Sequence, residues 1–532
     1  MTSKETKESK DTNSRRNFLK TIGVGVAGLA VGAVAGYGSH VPSATTGMTE
    51  TVTQAMTTGP TVQGATQSAR ALAGVAALQA AGQIPSGTTL TIMHFAGTAA
   101  TFTSSEAAWE SATGVKLNRV EVPIESSYDK VMLEATGKTG AYDLFVVNFV
   151  NMGDYAASGV VLPLDNYVAK YSPVFEGQPD GYIYPTGVHT TRLADHIWAL
   201  DIDTDTHTAY YRKSLMEDPG NQETFEKQFG YPLNIPQTWD QYHDVVSFFF
   251  QPSKGFFGSY EFRQLFWGYR NWNYRYAGKV YPVMYYFDDN MHPLIDGAEG
   301  HTAAEQYVDT VQYMDPEITS IAWTENFSRY SAGKGFANIN FPSLSKFCNI
   351  PSLSTIVGDL LYAIPPGDMV NSPLSQQVLL HRNTHDGSWS CYVSAYSKNP
   401  ELAYLYAQYL TSPEIIPIAS SAAGSFADPA RYSQSISPTQ VGPFPYDFLH
   451  GQPYDYVART QLCIPGITFQ GANEYLTDLD QNLMAACLGQ MTPADAITKT
   501  SQQWEAITDR IGRDAQTTQW EFLKSYYPLT SF

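Results

Sequence analysis

Short apolar runs alternate with longer amphipathic stretches through most of this chain. Residues 89–95, TLTIMHF, are such a run and end at Ala96-Gly97-Thr98. Residues 106–113 then read as a helix closed by Gly114, 115–122 as a second strand, and 141–148, AYDLFVVN, as a third. Strands alternating with helices predict a mostly parallel sheet, whose ligands lie beyond the carboxyl ends of the strands. That rule puts Gly97, Thr98, Asn148 and Phe149 at a candidate binding rim. Residues 302–314 are amphipathic at helical spacing, Ser331-Ala332-Gly333-Lys334 ends another helix, and 335–340 read as a strand. Residues 387–431 give strand, turn, helix, cap, helix and loop in succession. Trp389 to Val393 are mostly β-formers, Asn399 and Pro400 open a helix, and Leu402, Leu405, Tyr406 and Tyr409 supply its buried face.

Length and charge narrow the class. A chain of 532 residues is too long for one core and implies two or three lobes. Only 16% of residues are charged, yet the net charge is −19, which argues against nucleic acid, since phosphate contacts need clustered Lys and Arg. At the N-terminus, Ser14-Arg15-Arg16-Asn17-Phe18-Leu19-Lys20 precedes an apolar Gly/Ala-rich segment and Ala33-Val34-Ala35, the pattern of a twin-arginine export signal. Gly23-x-Gly25-x-x-Gly28 matches a dinucleotide fingerprint only formally, because no strand precedes it. Residues 1–35 hold six basic and three acidic residues, so the remainder carries −22. Residues 36–86 contain Glu50 and Arg70 as their only formal charges and read as a Thr/Ala-rich flexible tether, with a weak helix over 69–83.

Three motifs carry a resemblance. The first is the 387–431 order of parts: an aromatic-bearing strand, SKNPE, an aromatic helix, LTSPE, and a glycine loop ending in Arg431. The second is Tyr210-Tyr211-Arg212-Lys213, and the third is Pro236-Gln237-Thr238-Trp239-Asp240, a capped helix start. In this order they resemble the extracellular solute-binding proteins of ABC importers, the maltose-binding-like branch above all. The likeness covers roughly residues 89–505.

That resemblance implies a two-lobed α/β fold of the periplasmic-binding-protein type II kind, each lobe a mostly parallel sheet flanked by helices, joined by a multi-strand hinge. The expected division is signal 1–35, tether 36–86, lobe I 87–203, lobe II 204–360, return to lobe I 361–440, and a helical part 441–532 packing mainly on lobe II. It implies a carbohydrate ligand held between the lobes, and docking on a permease with its ATPase. It also implies a monomer that meets the membrane only through its N-terminal segment, with no cofactor. Asp205 falls where sugar-binding members place a carboxylate, with Asp203 beside it. Trp267 and Trp389 fall where the family presents rings to the ligand. Phe341 stands just before Pro342-Ser343, where many members have a stacking Trp, so the stacking pattern departs here.

Other chemistry finds little footing. Asp201, Asp203 and Asp205 have calcium-loop spacing, but Thr206 and Arg212 stand where that loop needs Gly and Glu. No Gly-x-Ser-x-Gly or His-Glu-x-x-His motif is present. His381 and His385 share i, i+4 spacing but lie in a loop-like segment. A carboxylate pair of a polysaccharide-active enzyme stays open as an alternative, as does a non-sugar solute such as a polyamine or metal chelate. Cys463 and Cys487 are candidates for a disulfide, and four cysteines allow three pairings.

Overall fold

Two sheets, joined by segments that cross directly from one to the other, set the architecture. The computed structural model describes residues 65–422, 424–436 and 457–528. Residues 1–64, 423, 437–456 and 529–532, and with them the expected signal and most of the expected tether, lie outside the described residues.

The first strands are β1 (Thr89–Phe95), β2 (Lys116–Val122) and β3 (Leu144–Asn148), followed by a short hairpin of β4 (Arg192–Leu193) and β5 (His196–Ile197). Then come β6 (Leu200–Asp203), β7 (Thr208–Arg212), β8 (Phe257–Ser259), β9 (Gly335–Asn340) and β10 (Leu360–Ala363). A hairpin of β11 (Asp368–Asn371) and β12 (Gln377–Leu380) precedes β13 (Asn383–His385), β14 (Trp389–Val393) and β15 (Cys463–Pro465). The first lobe is built on a five-stranded sheet of order β2-β1-β3-β14-β6, the second on a four-stranded sheet of order β10-β7-β9-β8.

The two-lobed α/β architecture is the one expected, but the strand directions are more mixed. β1 runs parallel to β2 and β3, whereas β14 is antiparallel to both β3 and β6. In the second sheet β7 is antiparallel to β9 and β10, and only β8 and β9 are parallel. The cause is the crossings. β6 passes into β7 through residues 204–207 alone, and β14 enters the first sheet straight from a crossing, so neither strand has a helix to reverse its direction.

The folded region starts earlier than residue 87. The helix Gln67–Ala80, capped by Thr66, buries Ala71, Gly74, Val75 and Leu78. It packs on the helix Pro400–Leu410, and a Cβ on Gly74 would meet Leu405 Cδ2 at 2.7 Å. Small Ala and Gly residues carry little apolar signal, yet they permit this close approach. Likewise, the helix expected over 106–113 runs Ala99–Thr113, adding Phe102 to Trp109 on its buried face.

The helix Trp239–Phe249 starts as expected, with Thr238 and Gln241 forming a capping box. Farther on, the helix Ala472–Cys487 reaches both lobes. Asp154, in the helix Met152–Ser158, accepts from Gly471 N at 2.6 Å and Asn473 N at 3.2 Å, while Asp480 accepts from Tyr269 N at 2.9 Å and from Phe266 N. Gly153 is required at this join, since a Cβ there would lie 2.2 Å from the Phe469 carbonyl carbon. Lys213–Ile235 cluster as a compact unit of their own, with a helix Pro219–Phe229 capped by Asp218 and an aromatic group of Phe225, Phe229 and Tyr231.

Candidate ligand-binding site

Because β14 is antiparallel to its two neighbours, its first residue comes level with their last ones. Trp389 is in register with Asn148 at the end of β3 and with Asp203 at the end of β6. Its ring also meets Phe95, the last residue of β1, edge-on at 5.4 Å. The carboxyl ends of three strands and the start of a fourth thus converge on one ring.

The crossings bring more groups to the same edge. His207 N donates to Asn383 Oδ1 at 3.0 Å, and Asn383 Nδ2 donates back to His207 O at 2.6 Å. One side chain thereby imitates a strand pairing between the two crossings. Asp205 N donates to Ser388 Oγ at 2.7 Å. Gly387 lies between them, and a Cβ there would fall 2.7 Å from Phe341 Cε1 and 3.1 Å from Asp205, so only glycine allows this approach. Phe341, just after β9, lies with its ring 5.9 Å from that of Trp267. Trp267 stacks on Trp323 at 5.7 Å and donates from Nε1 to Glu125 Oε1 at 3.4 Å.

Carboxylate oxygens of Asp203, Asp205 and Asp428 all lie within 4.8 Å of one another, and all three residues are buried. Asp428 N donates to Asp203 Oδ1, Ser343 N donates to Asp428 Oδ2 at 3.0 Å, and the Lys346 ammonium lies 3.7 Å from Asp428 Oδ1. Asp203 Oδ2 has no hydrogen-bond partner among the described residues. Burial, and then the neighbouring Asp428 carboxylate, push the Asp203 carboxyl well above the usual range. Burial draws the Lys346 ammonium down, against the pull of Asp428, Asp203 and Asp205. Lys346 supplies the positive charge here, so the three acids do not require a metal ion to coexist.

The structure gathers Asn148, Asp203, Asp205, Phe341 and Trp389 around the crossings and reaches Trp267 through Phe341. Asn148 Oδ1 accepts from Val150 N at 3.0 Å, and its Nδ2 has no partner among the described residues. Phe149 stacks on the His385 ring at 4.6 Å. Gly97 is exposed, and Thr98 turns its hydroxyl back on Phe95 O at 2.6 Å, so the end of β1 reaches this edge through Phe95 instead. Sequence reasoning missed Asp428, Lys346 and Glu125. Asp428 stands in the very loop singled out for Arg431, whose guanidinium is a buried clamp on the carbonyls of Thr411, Val174 and Asp180. Ser343 and Lys346 belong to the helix Ser343–Cys348, which occupies the segment where the stacking pattern departs. Cys463 and Cys487, read as a candidate disulfide, are not joined to each other. Among the described residues no helix is long and apolar enough to cross a membrane.

Comparison with known proteins agrees with the two-lobed fold. A family model described as bacterial extracellular solute-binding protein matches residues 96–416. Among curated protein sequences none matches the chain. Solved structures resemble it in fold at low identity. An ABC transporter solute-binding protein from Agrobacterium radiobacter K84, in complex with ribitol, has a TM-score of 0.64 at 19% identity, covering 79% of this chain and 98% of that one. Maltose-bound MalE3 of T. maritima gives 0.61 at 16% identity, covering 79% and 99%. The GacH receptor of Streptomyces glaucescens GLA.O, solved unliganded and with acarbose, gives 0.60 at 17% identity, covering 79% and 98%. With its family model spanning more than half of its length, the chain belongs to the bacterial extracellular solute-binding proteins.

Proposed function

We propose that this protein captures a carbohydrate, an oligosaccharide in particular, between its lobes and delivers it to a membrane permease driven by an ATPase. It acts as an exported monomer held at the cell surface by its N-terminal segment and tether. The observation that carries this reading is Trp389 set level with Asn148 and Asp203 at the carboxyl ends of the first sheet. An aromatic face packs on the C–H face of a sugar ring while carboxylate and amide groups bond its hydroxyls. Discrimination follows from the cost of leaving such buried groups unpaired. The ribitol, maltose and acarbose held by the similar structures support the same class of ligand.

Binding without chemistry is the better reading of the carboxylates. The acids here are buried and engaged with one another and with Lys346: Asp428 N donates to Asp203 Oδ1, Ser343 N donates to Asp428 Oδ2, and the Lys346 ammonium lies 3.7 Å from Asp428 Oδ1. Thermal unfolding against a panel of mono- and oligosaccharides, polyamines and metal chelates tests the proposal. A ligand at 100 times its Kd should add about 2.7 kcal/mol, should be recovered unchanged, and should lose its effect in Trp389→Ala. A shift produced only by polyamines or chelates, or a sugar recovered cleaved, would overturn it.

A further inference from the structure

A second group of chemistry-bearing side chains lies behind the hinge. His189, His385 and Cys463 are all buried, and one ligand atom from each lies within 4.8 Å of the other two. They come from three separate parts of the chain. His189 ends the short helix Thr186–His189, His385 ends the crossing strand β13, and Cys463 opens β15. β13 and β15 pair in parallel with Asn383 opposite Cys463. His385 is two residues beyond Asn383, so its side chain and that of Cys463 lie on one face of this two-stranded ribbon.

His189 is the residue that calls for explanation. It is 1% exposed, and neither ring nitrogen has a hydrogen-bond partner among the described residues. A buried imidazole without partners forfeits its hydration, and such orphaned groups in native proteins point to an ion or water that completes them. Aromatic rings cover the two imidazoles: Tyr526 packs edge-on against His189 at 5.6 Å and Phe149 stacks on His385 at 4.6 Å.

The geometry points to a zinc site formed by His189, His385 and Cys463. Two nitrogens and one sulfur are a borderline-soft donor set, suited to zinc and unsuited to magnesium or calcium. Zinc–nitrogen bonds of about 2.0–2.1 Å hold two imidazole centroids about 5–6 Å apart at tetrahedral to trigonal angles. The His189 and His385 centroids are 5.7 Å apart with planes inclined by 36°. Ser388 Oγ lies 2.7 Å from His385 Nε2, the outer hydrogen bond that orients a metal-binding imidazole, so zinc would be met by Nδ1. Binding would expel the Cys463 thiol proton and convert it to thiolate, with no change of oxidation state. The ion would fasten the C-terminal segment and the 186–189 turn to the hinge crossing, behind the ligand-binding edge.

The full chain, purified under reducing conditions and stripped with a chelator, should be titrated with Co(II) as a coloured stand-in and then with Zn(II). The expected result is one Co(II) per chain with a thiolate-to-cobalt charge-transfer band, displaced by Zn(II). Cys463→Ser and His189→Phe should remove the band, and Cys487→Ser should keep it. Ser388→Ala should weaken binding about 10–100-fold. Should the ligand variants fail to fold, the wild type still decides: Zn(II) must slow alkylation of Cys463, mapped by mass spectrometry, relative to Cys487. No metal retained by the wild type, a band that survives Cys463→Ser, or binding of Cu(I) but not Zn(II) would each overturn the site.

Discussion

Trp267 Nε1 donates to Glu125 Oε1 at 3.4 Å, linking the loop before the helix Tyr269–Ala277 to the turn after β2. The ring itself is held on Trp323 and against Phe341, so one indole is a wall of the aromatic cluster and also a latch to the first sheet's lobe. Trp267→Phe keeps most of the packing and loses the latch. A hydrogen bond of this kind contributes about 1 kcal/mol, so ligand affinity should fall about five-fold with little change in unfolding temperature. Calorimetric titration beside a thermal melt checks this, and an unchanged Kd would show that the latch does not bias closure.

Gly387 fixes how near the crossings come to Phe341. An alanine there would put its Cβ 2.7 Å from the Phe341 ring and 3.1 Å from Asp205. Such overpacking costs about 1–3 kcal/mol, and the ring has to shift to relieve it. Gly387→Ala should therefore stay folded but bind ligand about ten-fold or more weakly, whereas Gly297→Ala, where the backbone is extended and a Cβ meets only Glu299 Oε2 at 3.5 Å, should leave affinity near wild type. Equal effects at the two positions would remove Gly387 from the site.

Why some of this was legible in sequence and some not follows from what each residue type signals. β3 is an apolar run with a clear stop, so Asn148 at its end could be placed, whereas Asp203 at the end of β6 and Trp389 at the start of β14 were reached through the family resemblance. Asp428 and Lys346 carry no local pattern. They meet only because the helix Ser343–Cys348 folds back on the 424–431 loop, where Ser343 N and Lys346 hold Asp428. Phe149 and Thr98 occupy rim positions in sequence but are claimed by neighbours, His385 in one case and the chain's own turn in the other. The pairing of His385 with His189 and Cys463, rather than with His381, depends on a parallel ribbon between segments about 80 residues apart, which no spacing rule foretells.

Acid should weaken the fold through Glu261. Burial alone would raise its carboxyl, but Arg275, at 2.7 and 2.9 Å, and Arg263 hold it down to about 2. Its stabilising contribution is full above the unfolded value of 4.5 and is lost as pH falls from there toward 2. That window is worth about 3 kcal/mol. Glu261→Gln should lack this acid-sensitive component and, by leaving Arg275 buried without its counter-charge, should cost about 3–5 kcal/mol at pH 7. Urea midpoints from pH 7 to 3 test both statements, and a wild-type acid limb preserved in Glu261→Gln would refute the assignment.

Asp480 runs the other way. It is buried in the helix Ala472–Cys487, where loss of solvent raises its carboxyl to about 7, although Phe266 N, the Arg270 charge and Tyr269 N act to lower it. The folded state therefore holds this proton more tightly than the unfolded chain does. Its contribution is full below the unfolded value of 3.8 and is lost as pH rises through about 7. The difference amounts to about 4 kcal/mol across that window. Asp154, raised to about 6 chiefly by burial, adds to it with the same sign at the other end of the same contact. His94 and His207, drawn down by burial, act with the opposite sign as pH falls from 6.5, so the Asp480 component is read as a difference between variant and wild type. Asp480→Asn cannot ionise, so its Tm at pH 8, taken relative to its Tm at pH 5, should exceed the same difference in the wild type. An unchanged difference in Asp480→Asn would place this pH sensitivity elsewhere and free Asp480 to be an ordinary ionised acceptor for the Phe266 and Tyr269 amides.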